Sequence, residues 1–467
     1  MQQRRLALDD SRPIWQAMLV FLVPLMLSNI LQSASGTLNS IYLGRLLGVH
    51  ALAAASSFFP IIFFMVAFFI GIASASSVLI GQAYGARDDE RLKAVAGTTL
   101  TLALGAGVII GAASWFFLPP LLHAIGTPLD VFDDALVYAR VTFLSLPLFF
   151  VYLAYTTFVR GTGDSRTPFL ALLLSTAMIL VLTPALIRGW LGLPQLGIVA
   201  AAVANIIANA IATVFLLVAL ALEKNPLALD MSIVRHMNIE PKLLRTLIRI
   251  GIPTGLQMVM VSLAEIAVIA IVNRFGSSAT AAYGAVNQIV SYVQFPAISI
   301  GIGSSIFGAQ SIGAKRFERL RGIARAGVAL NWTICGVLIA LVYAFNDVVL
   351  TLFVTDPKVV ALAHELLAIT LWSYVIFGTS SVLSGLMRSS GDVLWPTALS
   401  ITSIWAVEVP VAYALAPHFG LRGIWFAYPV AFCAGLLFQS VYYFGFWRRK
   451  RLTTLLGDSP AAEPVAT

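Results

Sequence analysis

The chain has 467 residues, of which 59% are hydrophobic and only 11% charged, and its net charge is +8. Soluble domains carry close to one quarter charged residues, so these proportions exclude an ordinary soluble domain and place the protein in the membrane class, in line with a mean hydropathy of +0.91. The positive balance does not point to nucleic acid, because the basic residues are dispersed among short loops instead of forming a stripe on one face.

A helix needs about 20 apolar residues to cross the hydrocarbon core. In chain order the sequence predicts twelve such stretches, at 14–43, 51–82, 94–118, 136–158, 167–188, 196–222, 247–274, 280–310, 322–345, 363–387, 395–416 and 423–447. Arg4 and Arg5 precede the first one, but no small-residue cleavage site follows, so it reads as an uncleaved span and not a signal peptide. Prolines such as Pro24, Pro184, Pro253, Pro296 and Pro410 lie within these stretches and predict bends. Cys335 and Cys433 fall in apolar runs without metal or redox spacing and read as small core residues.

Of the 29 Lys and Arg residues, 23 fall on one side of this arrangement: before span one, after spans two, four, six, eight and ten, and after span twelve. The excess of basic residues marks the cytoplasmic side and predicts that both termini are cytoplasmic. Residues 1–13 then form an N-terminal segment, 14–222 a first lobe of six spans and 223–246 a cytoplasmic linker. Residues 247–447 form a second lobe of six spans and 448–467 a tail, disordered from Gly457.

The two lobes repeat one another at a fixed distance of 228 residues. Arg160, Gly163, Asp164 and Pro168 recur as Arg388, Gly391, Asp392 and Pro396. Gln82, Gly85, Ala86, Arg87, Glu90, Arg91 and Leu92 recur as Gln310, Gly313, Ala314, Lys315, Glu318, Arg319 and Leu320. Gly48, Ala51, Ala53 and Ala54 recur as Gly276, Ala279, Ala281 and Ala282. Each copy holds an even number of spans, so the copies share one orientation and are related by an axis along the membrane normal. The predicted fold is an all-α membrane protein of twelve transmembrane helices in two six-helix lobes related by that pseudo-twofold. Transporters with such repeats keep their substrate site at the interface between the halves.

The same residues carry a family resemblance. The stretches N-S-I-Y-L-G-R-L-L-G-V-H-A-L-A-A from Asn39, G-Q-A-Y-G-A-R-D-D-E-R-L from Gly81 and R-G-T-G-D-S-R-T-P from Arg160 resemble the multidrug and toxic compound extrusion (MATE) family, along nearly the whole chain. The resemblance implies an antiporter that exports bulky, often cationic, organic compounds in exchange for Na⁺ or H⁺. It also implies acids in the first lobe, and here the chain departs from the family. The first-span position holds Asn39, the fifth-span segment reads Leu182-Thr183-Pro184, and a tenth-span position acidic in some members holds Phe377. Asn39 and Thr183 offer neutral oxygens as ligands, and neither can carry a proton.

Only Glu265, in the seventh span, and Glu408, in the eleventh, remain well inside the predicted spans. By the repeat offset they map to Thr37 and Leu180, close to Asn39 and Thr183, so the acidic pair has moved to the matching place in the second lobe. An intramembrane acid is expensive and marks function by default. A carboxyl in a low-dielectric cavity can exchange protons near neutral pH, and an ionised pair suits Na⁺ or a cationic substrate. The structural alternative is a neutral, hydrogen-bonded buried acid in each case. Some family members use a seventh-span glutamate, which favours Glu265.

Gln257, Asn287 and Gln288 are the expected substrate-lining residues, with Tyr292 and Met258 supplying aromatic and adaptable apolar surface; helix packing is the alternative role for each. The repeated Arg160, Asp164, Arg388 and Asp392 read as structural loop residues, with Asp164 capping the next helix and Pro168 in its first turn. A cytoplasmic latch built from these four is the alternative.

The expected function is secondary active efflux through a central cleft open alternately to each side, by a monomer in a plasma membrane, the bacterial inner membrane. The partners are a small organic substrate, H⁺ or Na⁺ and the bilayer, with no cofactor, no metal and no nucleic acid. A flippase for lipid-linked substrates is the nearest rival, and the absence of any Lys or Arg mid-span argues against its phosphate-binding cavity. No Walker loop is present. The five histidines lie near loops or span ends, which argues against a membrane-embedded enzyme.

Overall fold

The structure, a computed structural model, describes residues 12–457 except 352 and 355. Most of the expected N-terminal segment and the expected disordered tail beyond Gly457 lie outside these residues.

Among the described residues, twelve helical spans run in chain order, one of them a bent pair. They are α1 (Ile14–Leu47), α2 (Phe59–Ala86), α3 (Asp89–Ala124), α4 (Phe132–Leu144 and Leu146–Gly161), α5 (Arg166–Arg188) and α6 (Val199–Leu222). Then follow α7 (Pro241–Phe275), α8 (Ser277–Gly313), α9 (Arg319–Ala344), α10 (Pro357–Ser389), α11 (Leu394–Phe419) and α12 (Leu421–Arg449). Eleven are single helices, and α4 is a pair bent by 47° beside Pro147. All twelve predicted spans are present, and among the described residues there is no β-strand.

Two boundaries differ from the predicted spans for local reasons. The stretch predicted from residue 51 begins with a separate short helix, Val49–Ser57, and α2 starts anew at Phe59. Pro60 follows directly, in the first turn, where its missing N–H costs nothing. The linker predicted over 223–246 is ordered and packed. Asp230 caps the short helix Met231–Arg235 by accepting from the backbone N–H groups of Ser232 and Ile233, and Leu227 and Ile233 are fully buried. Chain then re-enters helix at Pro241, six residues before the predicted start of span seven.

Contacts divide the chain into two compact units. One holds Leu27–Ile80 and Asp88–Ile252; the other holds the start of α1 up to Met26, Gly81–Arg87 and the chain from Pro253 onward. By these contacts the units meet along the chain inside α7, at Ile252 and Pro253. In the first unit, α3 meets the bend of α4 at Gly107, whose missing Cβ would lie 2.5 Å from the Pro147 Cα. Phe69 and Phe150 stack at 4.0 Å beside it. The linker lies against α3, where the Thr98 hydroxyl donates to the Asn238 carbonyl at 3.2 Å and Gly97 leaves room for the His236 backbone.

In the second unit, α8 and α10 pack through small residues: Gly385 faces the Gly301 carbonyl, and Gly308 faces Ser389. Close backbone approach of this kind replaces hydrophobic burial as the force holding helices together in lipid. Asn331 of α9 donates to the Val375 carbonyl of α10 at 2.8 Å, a buried interhelical bond worth about 0.6–2 kcal/mol. Cys335 is buried in this unit, as expected, whereas Cys433 is exposed on α12. An apolar run in a span has a side turned to lipid as well as one turned to protein, and hydropathy alone does not separate them.

The repeat is written into the backbone. Gly48 and Gly276 have φ of 89° and 94°, Gly163 and Gly391 have 91° and 80°, and the non-glycine residues Arg87 and Lys315 have 61° and 57°. Left-handed backbone at a non-glycine residue is uncommon, and here it recurs at the same offset as the motifs. The two Q-x-x-G segments also meet reciprocally within the second unit: Gly85 faces the backbone of Gln310, and Gly313 faces that of Gln82.

Candidate functional site

The second unit gathers the intramembrane acids. Glu265 lies on α7 and Glu408 on α11. Two hydrogen bonds stitch these helices together on either side of the acids. The Trp405 indole N–H donates to the Met260 carbonyl at 3.1 Å, and the Tyr413 hydroxyl donates to the Ala267 carbonyl at 3.4 Å. The two carboxyl groups fall within electrostatic reach of each other. Glu408 is 6% exposed, while Glu265 is on an open face. Among the described residues neither has an ion-pair partner.

A feature invisible in the sequence sets the direction of Glu408. Residues Ser403–Glu408 form a π-helical segment within α11, ending at the glutamate. Pro410 follows and denies the helix one backbone donor. A wider turn absorbs that irregularity, and such turns recur at functional sites. Ser403 anchors the segment by donating to the Ala431 carbonyl of α12 at 2.6 Å.

Three tyrosines face this pair from α8, α10 and α12. The Tyr283 and Tyr428 hydroxyls are 2.8 Å apart, and Asn287 lies beside Tyr283 one turn along α8. Tyr374 is within electrostatic reach of both glutamates. Tyr283 stacks on Trp425 with ring centroids 6.1 Å apart; Trp425 is fully buried and its indole N–H has no partner among the described residues. Tyr374, Tyr428 and Trp425 were not singled out from the sequence. Their only signal is a hydroxyl or indole inside an apolar span, which also describes ordinary packing.

Among the expected lining residues, Asn287 is on an open face one helical turn from Tyr283, and Tyr292 is 40% exposed. Gln288 and Met258 are half-buried. Gln257 is engaged elsewhere, with its Oε1 accepting from the Arg388 guanidinium. The neutral pair belongs to the first unit. Asn39 lies beside Tyr138, Thr183 is fully buried, and among the described residues neither Asn39 Oδ1 nor Thr183 Oγ1, both buried, has a hydrogen-bond partner.

The repeated loop residues have different local partners in the two units. Asp164 caps α5, accepting from the Arg166 N–H at 2.8 Å, the Thr167 N–H at 3.2 Å and the Thr167 hydroxyl at 2.5 Å. Its counterpart Asp392 instead accepts from Lys450 at 2.6 Å and from the Tyr442 hydroxyl at 2.8 Å. Arg160 lies near Tyr152. Within each unit, no hydrogen bond or ion pair among the described residues joins the arginine to the aspartate of its own motif. Among the described residues, no three His, Cys, Asp or Glu side chains come together as a metal site.

Comparisons with known proteins agree on the family. The MatE family profile matches residues 24–185 and 253–414, once in each half. The chain is 49% identical to the probable multidrug resistance protein YoeA of Bacillus subtilis, covering 96% of this chain and 97% of that one. It is 27% identical to the probable multidrug resistance protein YpnP of the same organism, over 94% and 97%. The multidrug export protein MepA of Staphylococcus aureus is 22% identical over 91% and 92%. Among solved structures, a multidrug resistance MATE family transporter of the MOP superfamily in an outward-facing conformation superposes with a TM-score of 0.86 at 21% identity, over 96% of this chain and 99% of that one. Repeat, twelve spans and both motif copies are thus those of one family: the chain belongs to the MatE family of multidrug efflux transporters.

Proposed function

We propose that the protein exports organic, mainly cationic compounds by antiport with H⁺, through alternating access of a central cleft. The observation that carries this reading is the pairing of Glu265 and Glu408 beside the Tyr283–Tyr428 hydroxyls. Two carboxylates in a low-dielectric setting repel one another, and a proton or a cation between them relieves that repulsion. Counter-ion and substrate then compete for one negative site, which makes their exchange obligatory. In the outward state the pair takes up H⁺, reorientation carries it inward, and its release admits substrate for the return. Two carboxylates with phenolic neighbours and few other oxygens suit a proton better than a coordinated Na⁺.

Asn287, Tyr292, Gln288 and Met258 would line the path, with the aromatic faces attracting a flat cation. The neutral oxygens of Asn39 and Thr183 would serve as accessory ligands. The asymmetry of 23 basic residues against 6 supports cytoplasmic termini, and the bacterial relatives support the reading of a monomer in a bacterial inner membrane.

The test is uptake of a fluorescent cationic dye in proteoliposomes, under an imposed proton gradient and separately a sodium gradient. Proton-driven transport that disappears in Glu265→Gln and in Glu408→Gln is the expected result. Sodium-driven transport that survives both substitutions would overturn it and move attention to Asn39 and Thr183.

A further inference from the structure

Away from the acidic pair, the second unit has a groove of about 600 Å³ between α9 and α12, floored by α10. Its mouth is basic. Arg321 and Arg325 come from the first turns of α9 and Arg448 from the end of α12. Arg448 and Arg321 both lie within electrostatic reach of the buried Tyr443 hydroxyl. All three arginines are exposed, no acidic residue lines the groove, and among the described residues no carboxylate pairs with any of them.

Beyond the mouth the lining turns apolar. Arg321, Arg325, Val328 and Trp332 follow one another at helical spacing along a single face of α9. Trp332 is 58% exposed, yet its ring is pinned, because the indole N–H donates to the Thr379 hydroxyl at 3.1 Å. From Arg321 to Trp332 the helix rises about 16 Å, close to the roughly 15 Å depth of one leaflet's hydrocarbon.

We propose that this groove is a binding site for an anionic phospholipid. The phosphodiester sits among the three guanidinium groups, whose forked donors match phosphate oxygens, and one acyl chain runs down over Val328 to Trp332. Charge selects the lipid: a zwitterionic headgroup brings its own cation to a site that already has three. A free phosphate would satisfy the mouth and leave the apolar length of the groove empty. Basic pockets between spans are a known form of anionic-lipid recognition.

The test uses the full chain in phosphatidylcholine vesicles containing a fixed mole fraction of phosphatidylglycerol, with bromine on the acyl chains of one lipid or the other. The Trp332 signal is the difference between wild type and Trp332→Phe. Brominated phosphatidylglycerol is expected to quench it more strongly than brominated phosphatidylcholine at equal mole fraction. Each of Arg321→Gln, Arg325→Gln and Arg448→Gln should weaken that preference by about fivefold. Val328→Phe, which narrows the groove, keeps every charge and adds no indole, should remove it as well. Equal quenching by the two lipids would overturn the proposal, as would a preference that survives the triple arginine variant. A preference abolished by millimolar inorganic phosphate would assign the mouth to a free anion and overturn it too.

Discussion

The spans α1 and α5 of the first half correspond by sequence repeat to α7 and α11 of the second, yet the two pairs hold opposite chemistry. The first carries Asn39 and Thr183, whose buried oxygens lack partners among the described residues. The second carries Glu265 and Glu408, set between two interhelical hydrogen bonds and faced by three tyrosines. The backbone differs as well: α5 is α-helical throughout from Arg166 to Arg188, whereas α11 has its π-helical segment ending at Glu408. A duplicated scaffold keeps its turns and crossings but does not have to keep its ionisable groups, so charge can move between equivalent places while the fold stays fixed.

The sharpest way to break that comparison is to neutralise each half in turn. Glu265→Gln and Glu408→Gln are expected to lower proton-driven dye transport to the leak rate. Asn39→Ala and Thr183→Ala should slow it only several-fold. Initial rates in proteoliposomes decide it, and equal losses from both halves would mean that the two sites are used together.

The second contrast lies in the Q-x-x-G copies. Gln82 is 1% exposed; its Nε2 donates to the Ser389 carbonyl at 2.8 Å and its Oε1 accepts from the Leu455 N–H at 2.8 Å. One side chain thus fastens the end of α2 to both the R-x-x-G-D loop and the C-terminal segment. Gln82→Ala leaves two backbone groups without that partner and is expected to cost about 1–3 kcal/mol. Its expected signs are a lower thermal midpoint in detergent and faster proteolysis around Leu455.

Much of this architecture was legible in the sequence, because spans are read from apolar length and the repeat from residues that backbone geometry requires. Gly48 and Gly276, or Arg87 and Lys315, recur since the same left-handed turns recur. The acids were legible for a different reason: a carboxylate in an apolar run is costly and therefore conspicuous. What stayed hidden depends on helix phase. The π-segment before Glu408, the convergence of Tyr374 and Tyr428 on the acids, and the exposure of Cys433 all follow from which way a side chain turns. Hydropathy carries no such information in a span that has both protein and lipid around it. The bond between Gln257 and Arg388 spans 131 residues, and no local pattern encodes it.

The repeated aspartates give a smaller test of the same lesson. Asp164 caps α5 with three local hydrogen bonds, so Asp164→Ala is expected to cost about 1 kcal/mol. Asp392 is bound to Lys450, a half-exposed pair worth at most about 1 kcal/mol. Asp392→Asn should therefore barely move the thermal midpoint and show itself as easier proteolysis after Lys450. Equal effects of the two substitutions on stability would mean that the motif does one job in both halves.

The smallest expected effect belongs to Asp230, a cap like Asp164 but on the linker helix Met231–Arg235. Hydrogen bonds from the Ser232 hydroxyl, and then from the Ile233 N–H, hold its carboxyl below the usual aspartate range, with Lys93 adding a weaker attraction. A carboxylate held more acidic in the folded state than in the unfolded one stabilises the fold fully above its unfolded value, near about 3.9. That contribution is lost as pH falls through the lower folded value. Amide hydrogen exchange over Ser232–His236 should therefore stay slow near neutral pH and accelerate, relative to its intrinsic rate, only in the acid range below pH ~4. Because the carboxylate is exposed, the change should be a few-fold, confined to this helix. In Asp230→Asn, which caps without titrating, the acid acceleration should vanish; if it persists, another acid on the linker or on α3 is responsible, with Glu90, 3.4 Å from His236, the first to examine.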